Sequence, residues 1–237
     1  MDPAFKMINT VFFDFGGTLF YEKRKVPEDE TLYSGYEALV EKGIQVPFEV
    51  FKDIFQIPYR QRDLELAKKG LDISVREFSK EIMPELGLEP ADDIVDAFIW
   101  GRFKPHSVNN SLFDDILPTL EKLKPISKIG LISNAQPHGI LYHIDKIGIS
   151  TYFDEIIISG AVGLQKPNPE IFRLAADSIC SEPGECLMVG DSPQADARGA
   201  ESAGMNGIVI DRTGKMKEMF PDVKSVSDMR QILKIIG

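Results

Sequence analysis

From residue 104 onward, strand-like and helix-like segments alternate in strict order, and this alternation constrains the fold more than any other feature. The strand-like runs are KIGLIS (128–133), EIIIS (155–159), CLMVG (186–190) and GIVI (207–210). Helical patterns are expected around 111–123, 137–147, 168–180 and 193–203. Such a succession with short turns builds a parallel sheet covered by helices on both faces. A run as uniformly apolar as EIIIS suits a strand buried on both sides. One further strand-like run, INTVFF (8–13), lies far upstream.

Between them the apolar period is helical, from about Glu28 to Phe103. Leu32, Tyr36, Leu39 and Val40 form one stripe. Phe48, Phe51 and Phe55 form a second, and Ile94, Val95, Phe98 and Ile99 a third. Prolines 27, 47, 84 and 90 and glycines 43, 70 and 87 divide this region into roughly four helices. KPHSVNNS (104–111) reads as the linker back to the core. The chain therefore reads as a doubly wound α/β core, residues 7–20 and 104–237, interrupted by an all-helical insert over 21–103.

The net charge of −10 argues against nucleic acid or an anionic membrane as partner, because either would repel the protein at long range. A small anionic substrate stays open, provided a local cation or metal receives it. No apolar run reaches the length of a membrane span, no secretory signal is read, and a cytoplasmic location is expected. The opening MDPAFK, before Met7, reads as an appendage and carries no weight. Two cysteines, Cys180 and Cys186, match no metal spacing and read as reduced thiols. Oligomeric state is not legible.

In open α/β sheets, ligands bind beyond the carboxyl ends of the strands. The polar residues there are Asp14, Ser133 with Asn134, and Asp191, joined by Lys166 from the loop SGAVGLQKPNPE. Asp14 opens the loop Phe15, Gly16, Gly17, Thr18, where glycine permits close approach of main-chain amides to an anion. An aspartate beside glycine also caps turns, and the two readings weigh about equally. Ser133 and Asn134 offer a hydroxyl and an amide to a phosphoryl oxygen, or else cap the next helix. Lys166 precedes a helix start, where a cation opposes the helix dipole, so it needs a reason other than helix stability. Asp191 and Asp196, five residues apart in MVGDSPQADARGAESAG, could join Asp14 in an oxygen-rich site suited to Mg²⁺.

These four sets in order (DFGGT, SN, the lysine of QKPNPE, and GDSPQAD) resemble the motifs of the haloacid dehalogenase superfamily. The resemblance covers nearly all of the core, and the helical insert resembles that family's cap domain. It implies a Mg²⁺-dependent phosphohydrolase acting on a small phosphorylated molecule. Asp14 would be the nucleophile that forms an aspartyl phosphate, while Ser133 and Lys166 hold and neutralise the transferring group. Asp14, Asp191 and the Gly16 carbonyl would bind Mg²⁺, with Asp196 in support. The loop residues Phe15, Gly16, Gly17 and Thr18, together with Asn134, would contact the phosphate.

The sequence departs from the pattern at one place. Phosphatases of that family usually carry a second aspartate two positions after the nucleophile as general acid and base, and here that position is Gly16. General acid–base catalysis contributes ~10²–10⁴-fold, so a phosphatase without it is expected to be weak or atypical. Two alternatives follow. One is another chemistry on the same fold, either 2-haloacid dehalogenation or phosphonate cleavage with a cap lysine among Lys23, Lys25, Lys52, Lys68 and Lys69. The other is a binding protein on a decayed site. His106, His138 and His143 read as surface residues, and Trp100 with the cap phenylalanines as core. RQRDLELAKK (60–69) reads as a solvated helix face that could still present Arg60 or Arg62 to an anion.

Overall fold

A computed structural model describes residues 8–236. The expectation for MDPAFK and the outermost core residues, 7 and 237, lie outside the described residues.

Strand β1 (Thr10–Phe13) is followed by the short β2 (Phe20–Glu22). Four helices come next: α1 (Glu28–Glu41), α2 (Phe48–Ala67), α3 (Val75–Ile82) and α4 (Asp92–Ser107). The chain returns through β3 (Asn110–Leu112) and α5 (Ile116–Leu123). It then runs β4 (Lys128–Ser133), α6 (Pro137–Lys146), β5 (Glu155–Ile158) and the single turn α7 (Ser159–Val162). After α8 (Pro169–Ser178) come β6 (Cys186–Gly190), a π-helical turn (Pro193–Arg198), α9 (Gly199–Ser202), β7 (Asn206–Ile210) and β8 (Ser225–Val226).

Six strands form one parallel sheet in the order β5-β4-β1-β6-β7-β8. Strand β1 is central, and the chain winds away from it in both directions, so the expected doubly wound topology holds. Side chains alternate across the sheet as the period of two requires. Val11, Phe13, Leu131 and Val189 face α5 and α6, whereas Phe12, Ile132 and Met188 face α8.

The helical cap has its own core of Leu32, Leu39, Phe51, Phe55, Val95 and Phe98. Helices α1 and α4 cross where glycine meets glycine. A Cβ on Gly101 would lie 2.7 Å from the Ser34 carbonyl oxygen and 2.9 Å from the Gly35 Cα. Larger residues there would push the two backbones apart.

Three local expectations need correction. Residues 104–107, read as linker, continue α4 through Pro105 to Ser107, because packing against the core outweighs the hydrogen bond that proline cannot donate. Residues 110–112, read as the end of the linker and the start of a helix, pair antiparallel with Phe20–Glu22. That two-stranded ribbon ties the cap's entry and exit strands together, a contact set by tertiary structure. Trp100, read as core, is 41% exposed and stacks edge-on against Tyr142.

Candidate active site

Strand β1 runs straight into Asp14, whose amide extends the ladder to the Val189 carbonyl at 2.9 Å. The chain then curls back on itself. The Gly17 amide donates to the Phe20 carbonyl at 2.7 Å, and those of Leu19 and Phe20 to the Phe15 carbonyl. Gly17 has φ +74°, and a Cβ on it would lie 2.2 Å from Asp191 Oδ2, so both conformation and space demand glycine. Gly16 is the opposite case: a Cβ there would meet no atom of the described residues within 4 Å, and its backbone is outside the left-handed region. Thr18 Oγ1 donates to Asp14 Oδ2 at 3.2 Å.

The lysine that opposed a helix dipole in the sequence has its reason here. Lys166 is 4% exposed, and its ammonium donates to Asp14 Oδ1 (2.7 Å), Asp196 Oδ1 (2.6 Å) and the Ile132 carbonyl (2.9 Å). All three of its donors are thereby engaged. Burial alone would lower its pKa, but the two carboxylates hold the ammonium above the usual lysine range. Lys166 thus orients both carboxylates and offsets their charge.

Asn134 steadies that lysine. Its Nδ2 donates to the Lys166 carbonyl (2.9 Å), and its Oδ1 accepts from the Lys166 amide (2.8 Å). Ser133 is buried at the end of β4. Past β6, Ser192 caps the π-helical turn by accepting from the Ala195 amide, and Asp196 turns back so that its Oδ2 accepts from the Ser192 amide.

Carboxylate oxygens of Asp14, Asp191 and Asp196 all lie within 4.8 Å of one another. Among the described residues only Lys166 bridges to any of them, so three carboxylates face one buried ammonium. Partial loss of hydration, then the charges of Asp14 and Asp196, push the Asp191 carboxyl up to about 6. Asp191 retains exposed surface at the mouth of the site. A hard divalent cation fits this donor set: oxygen ligands, excess negative charge and an open side.

Beside this cluster, between cap and core, lies a cavity of about 310 Å³. Phe15 and Ala135, next in chain to the site's own residues, form its floor, while Tyr59, Ile99 and Arg102 enter from the cap. The cap is fastened to the core nearby. Gln136 donates to the Ile73 carbonyl (2.8 Å) and accepts from the Val75 amide (3.2 Å). Gln165 donates to the Leu71 carbonyl (2.8 Å), on the loop that carries Lys166.

The histidines read as surface residues all line this cavity. His143 is 2% exposed, packed against Phe15, Phe20 and Phe103, because α6 turns it inward. Its Nε2 lies 2.9 Å from Asn110 Nδ2. Arg60 and Arg62 pair with Glu28 and Glu81 and do not line the cavity. The cation that does, Arg102, was missed. Its signal was a lone arginine continuing the Val95, Phe98, Ile99 stripe at helical spacing.

The model of the haloacid dehalogenase-like hydrolases matches residues 8–204. The chain belongs to that family. A glyceraldehyde 3-phosphate phosphatase of Methanopyrus kandleri is 29% identical over 216 residues, 91% of this chain and 88% of that protein. A phosphoserine phosphatase of Thermus thermophilus is 36% identical over 106 residues, 44% of this chain and 42% of that protein. Among solved structures, a 2-haloacid dehalogenase from Pseudomonas syringae superposes with TM-score 0.68 at 24% identity, covering 97% of this chain and 98% of that one. A phosphatase of the family from Thermococcus onnurineus gives TM-score 0.61 at 22% identity over 97% and 98%. At these identities the structural likeness concerns the fold. This chain is thus a haloacid dehalogenase-like hydrolase whose curated relatives are named as phosphatases of small molecules. Among its described residues, no helix is long and apolar enough to cross a membrane.

Proposed function

We propose that this hydrolase is a Mg²⁺-dependent phosphohydrolase that acts on a small phosphorylated molecule through an aspartyl phosphate on Asp14. The observation that carries the reading is the group of three carboxylates around a single buried lysine at the sheet's carboxyl edge. That arrangement suits phosphoryl transfer, which rests on positioning and charge compensation.

Asp14, Asp191 and the Gly16 carbonyl would hold the ion, with Asp196 behind them. When bound, the ion would polarise the phosphoryl oxygens and offset their charge. Asp14, held by Lys166 and Thr18, attacks phosphorus as an ionised carboxylate and needs no base. One bond forms from phosphorus to the Asp14 oxygen while the ester P–O bond breaks. Ser133 and the amides of Phe15, Gly16 and Thr18 would receive the phosphoryl oxygens, the Gly17 amide being engaged by the Phe20 carbonyl. Lys166 offsets charge without leaving its carboxylates. The departing oxygen takes its proton from water, since Gly16 supplies none. A second water then attacks phosphorus, phosphate leaves, and Asp14 is restored.

An aryl phosphate, whose leaving group departs unprotonated, is the natural first assay. With Mg²⁺ the expected course is a burst of phenol stoichiometric with enzyme, then a slow steady rate. Chelation of the metal abolishes both phases. One feature favours a second reading, hydrolytic dehalogenation with Asp14 attacking carbon: Gly16 leaves no general acid beside Asp14. If aryl phosphate is untouched while a 2-chloro acid releases chloride without Mg²⁺, that reading replaces the first.

A further inference from the structure

The cavity between cap and core holds two donors with no hydrogen-bond partner among the described residues. Arg102, half-buried on α4, makes no hydrogen bond and no ion pair among the described residues. Its stem lies against Gly35, where a Cβ would come within 2.5 Å of Arg102 Cγ, and its guanidinium stacks over Phe55 (5.4 Å), Tyr59 (5.5 Å) and Phe98 (5.8 Å). Packing therefore holds it in place. Glu28, whose charge is felt by Arg102, accepts its hydrogen bonds elsewhere, from Arg60 at 2.6 Å and Gln56 at 3.0 Å. Ring stacking attracts the cation, but it satisfies none of the five N–H donors of a guanidinium. The Tyr59 hydroxyl also has no hydrogen-bond partner among the described residues, and it lines the same cavity. Burial pushes that phenol up to about 12, so it remains a donor.

We propose that Arg102 and the Tyr59 hydroxyl form a subsite for a carboxylate on the substrate, making this enzyme's substrate a small phosphorylated carboxylic acid. The proposal rests on the phosphohydrolase reading for the other end of the molecule. Charge selects the ligand. One guanidinium among aromatic walls balances one negative charge, whereas a second phosphate dianion would enter under-compensated. A neutral group would leave the guanidinium unpaired, and a cation would be repelled. The planar fork of arginine matches a carboxylate in two parallel hydrogen bonds. Size selects further: about 310 Å³ is at the lower end for ligand cavities and suits an acid of a few carbon atoms.

The test uses matched pairs, phosphoglycolate against 2-hydroxyethyl phosphate and 3-phosphoglycerate against glycerol 3-phosphate. The readout is the ratio of kcat/KM within a pair. The wild type should prefer the acid by about 10²-fold, mostly through KM, as expected for a desolvated charge-assisted pair. Arg102→Met keeps the packed stem, and its ratio should fall to near one, with Tyr59→Phe between. Arg102→Lys keeps the charge without the fork and should retain part of the preference, so the test survives if the methionine variant does not fold. The same pairs are titrated calorimetrically into Asp14→Asn protein, which cannot turn over. Equal kcat/KM within pairs, or a preference unmoved by Arg102→Met, overturns the carboxylate subsite and leaves the phosphohydrolase standing. If no phosphate ester is hydrolysed, the phosphohydrolase reading falls. Preferential binding of the acids by Asp14→Asn protein would then still uphold the subsite, and equal binding would overturn it.

Discussion

Replacing Gly16 by aspartate places a carboxylate two residues beyond Asp14, and the structure says it can be done without damage. A Cβ at position 16 meets nothing among the described residues within 4 Å, and the backbone there is outside the left-handed region that would strain a side chain. Loss of glycine entropy from the unfolded chain favours the variant by about 0.4–1 kcal/mol. Repulsion from the neighbouring Asp14 and Asp191 opposes it, so the melting temperature should move by no more than about 4 °C. The catalytic effect is much larger. A general acid contributes ~10²–10⁴-fold, roughly 3–5 kcal/mol of barrier, where the leaving oxygen needs a proton. Alkyl phosphate turnover should rise by that factor. With an aryl phosphate, rapid-quench kinetics should show a burst rate that changes little, because a phenolate departs unprotonated. The slow phase that follows should accelerate, because the new carboxylate activates the water that cleaves the aspartyl phosphate. A burst rate raised as much for aryl as for alkyl substrate, or no gain with either while Mg²⁺ still binds, would refute this account of Gly16.

Lys166→Met leaves Asp14 and Asp196 buried without their shared cation and should cost about 3–5 kcal/mol in urea unfolding. Asp191→Ala removes the one carboxylate at the open side of the site, and calorimetry should show Mg²⁺ binding far weaker than in the wild type; equal binding would remove Asp191 from the ligand set. Burial first, then the charges of Lys146 and His106, push the His143 imidazole down from 6.5 to about 4. Between those values the unfolded chain binds the extra proton, so stability should rise with pH across the window, by at most roughly 3 kcal/mol. His143→Phe should flatten that segment of the pH–stability curve.

What the sequence determined by itself was whatever depends on neighbours along the chain. Short continuous apolar runs located every long strand of the sheet, and the polar residue at or just past the end of three of them named Asp14, Ser133 and Asp191 as its carboxyl edge. The cap helices were legible for the same reason, from stripes at helical spacing broken by proline and glycine. The absence of an acid at Gly16 was plain as well, since it is a matter of identity rather than placement.

Tertiary structure alone decided which groups meet. Lys166 was visibly misplaced in sequence, but its three acceptors come from β1, β4 and the turn after β6, 152, 34 and 30 residues away. Asn134 reads in sequence as a phosphate ligand or a helix cap, and its grip on the main chain of Lys166, 32 residues on, shows only in the fold. The ribbon of Phe20–Glu22 with Asn110–Leu112 has no local signature, because a three-residue strand is defined only by its partner. Arg102 and Tyr59 are the sharpest case. On their own helices each is one polar residue in an amphipathic pattern. Only the crossing of α1 and α4 at paired glycines, and the closing of the cap over Phe15, leaves a guanidinium and a hydroxyl in one cavity with no hydrogen-bond partner among the described residues. Helical period encodes which face a side chain occupies, and the packing of whole elements decides what that face meets.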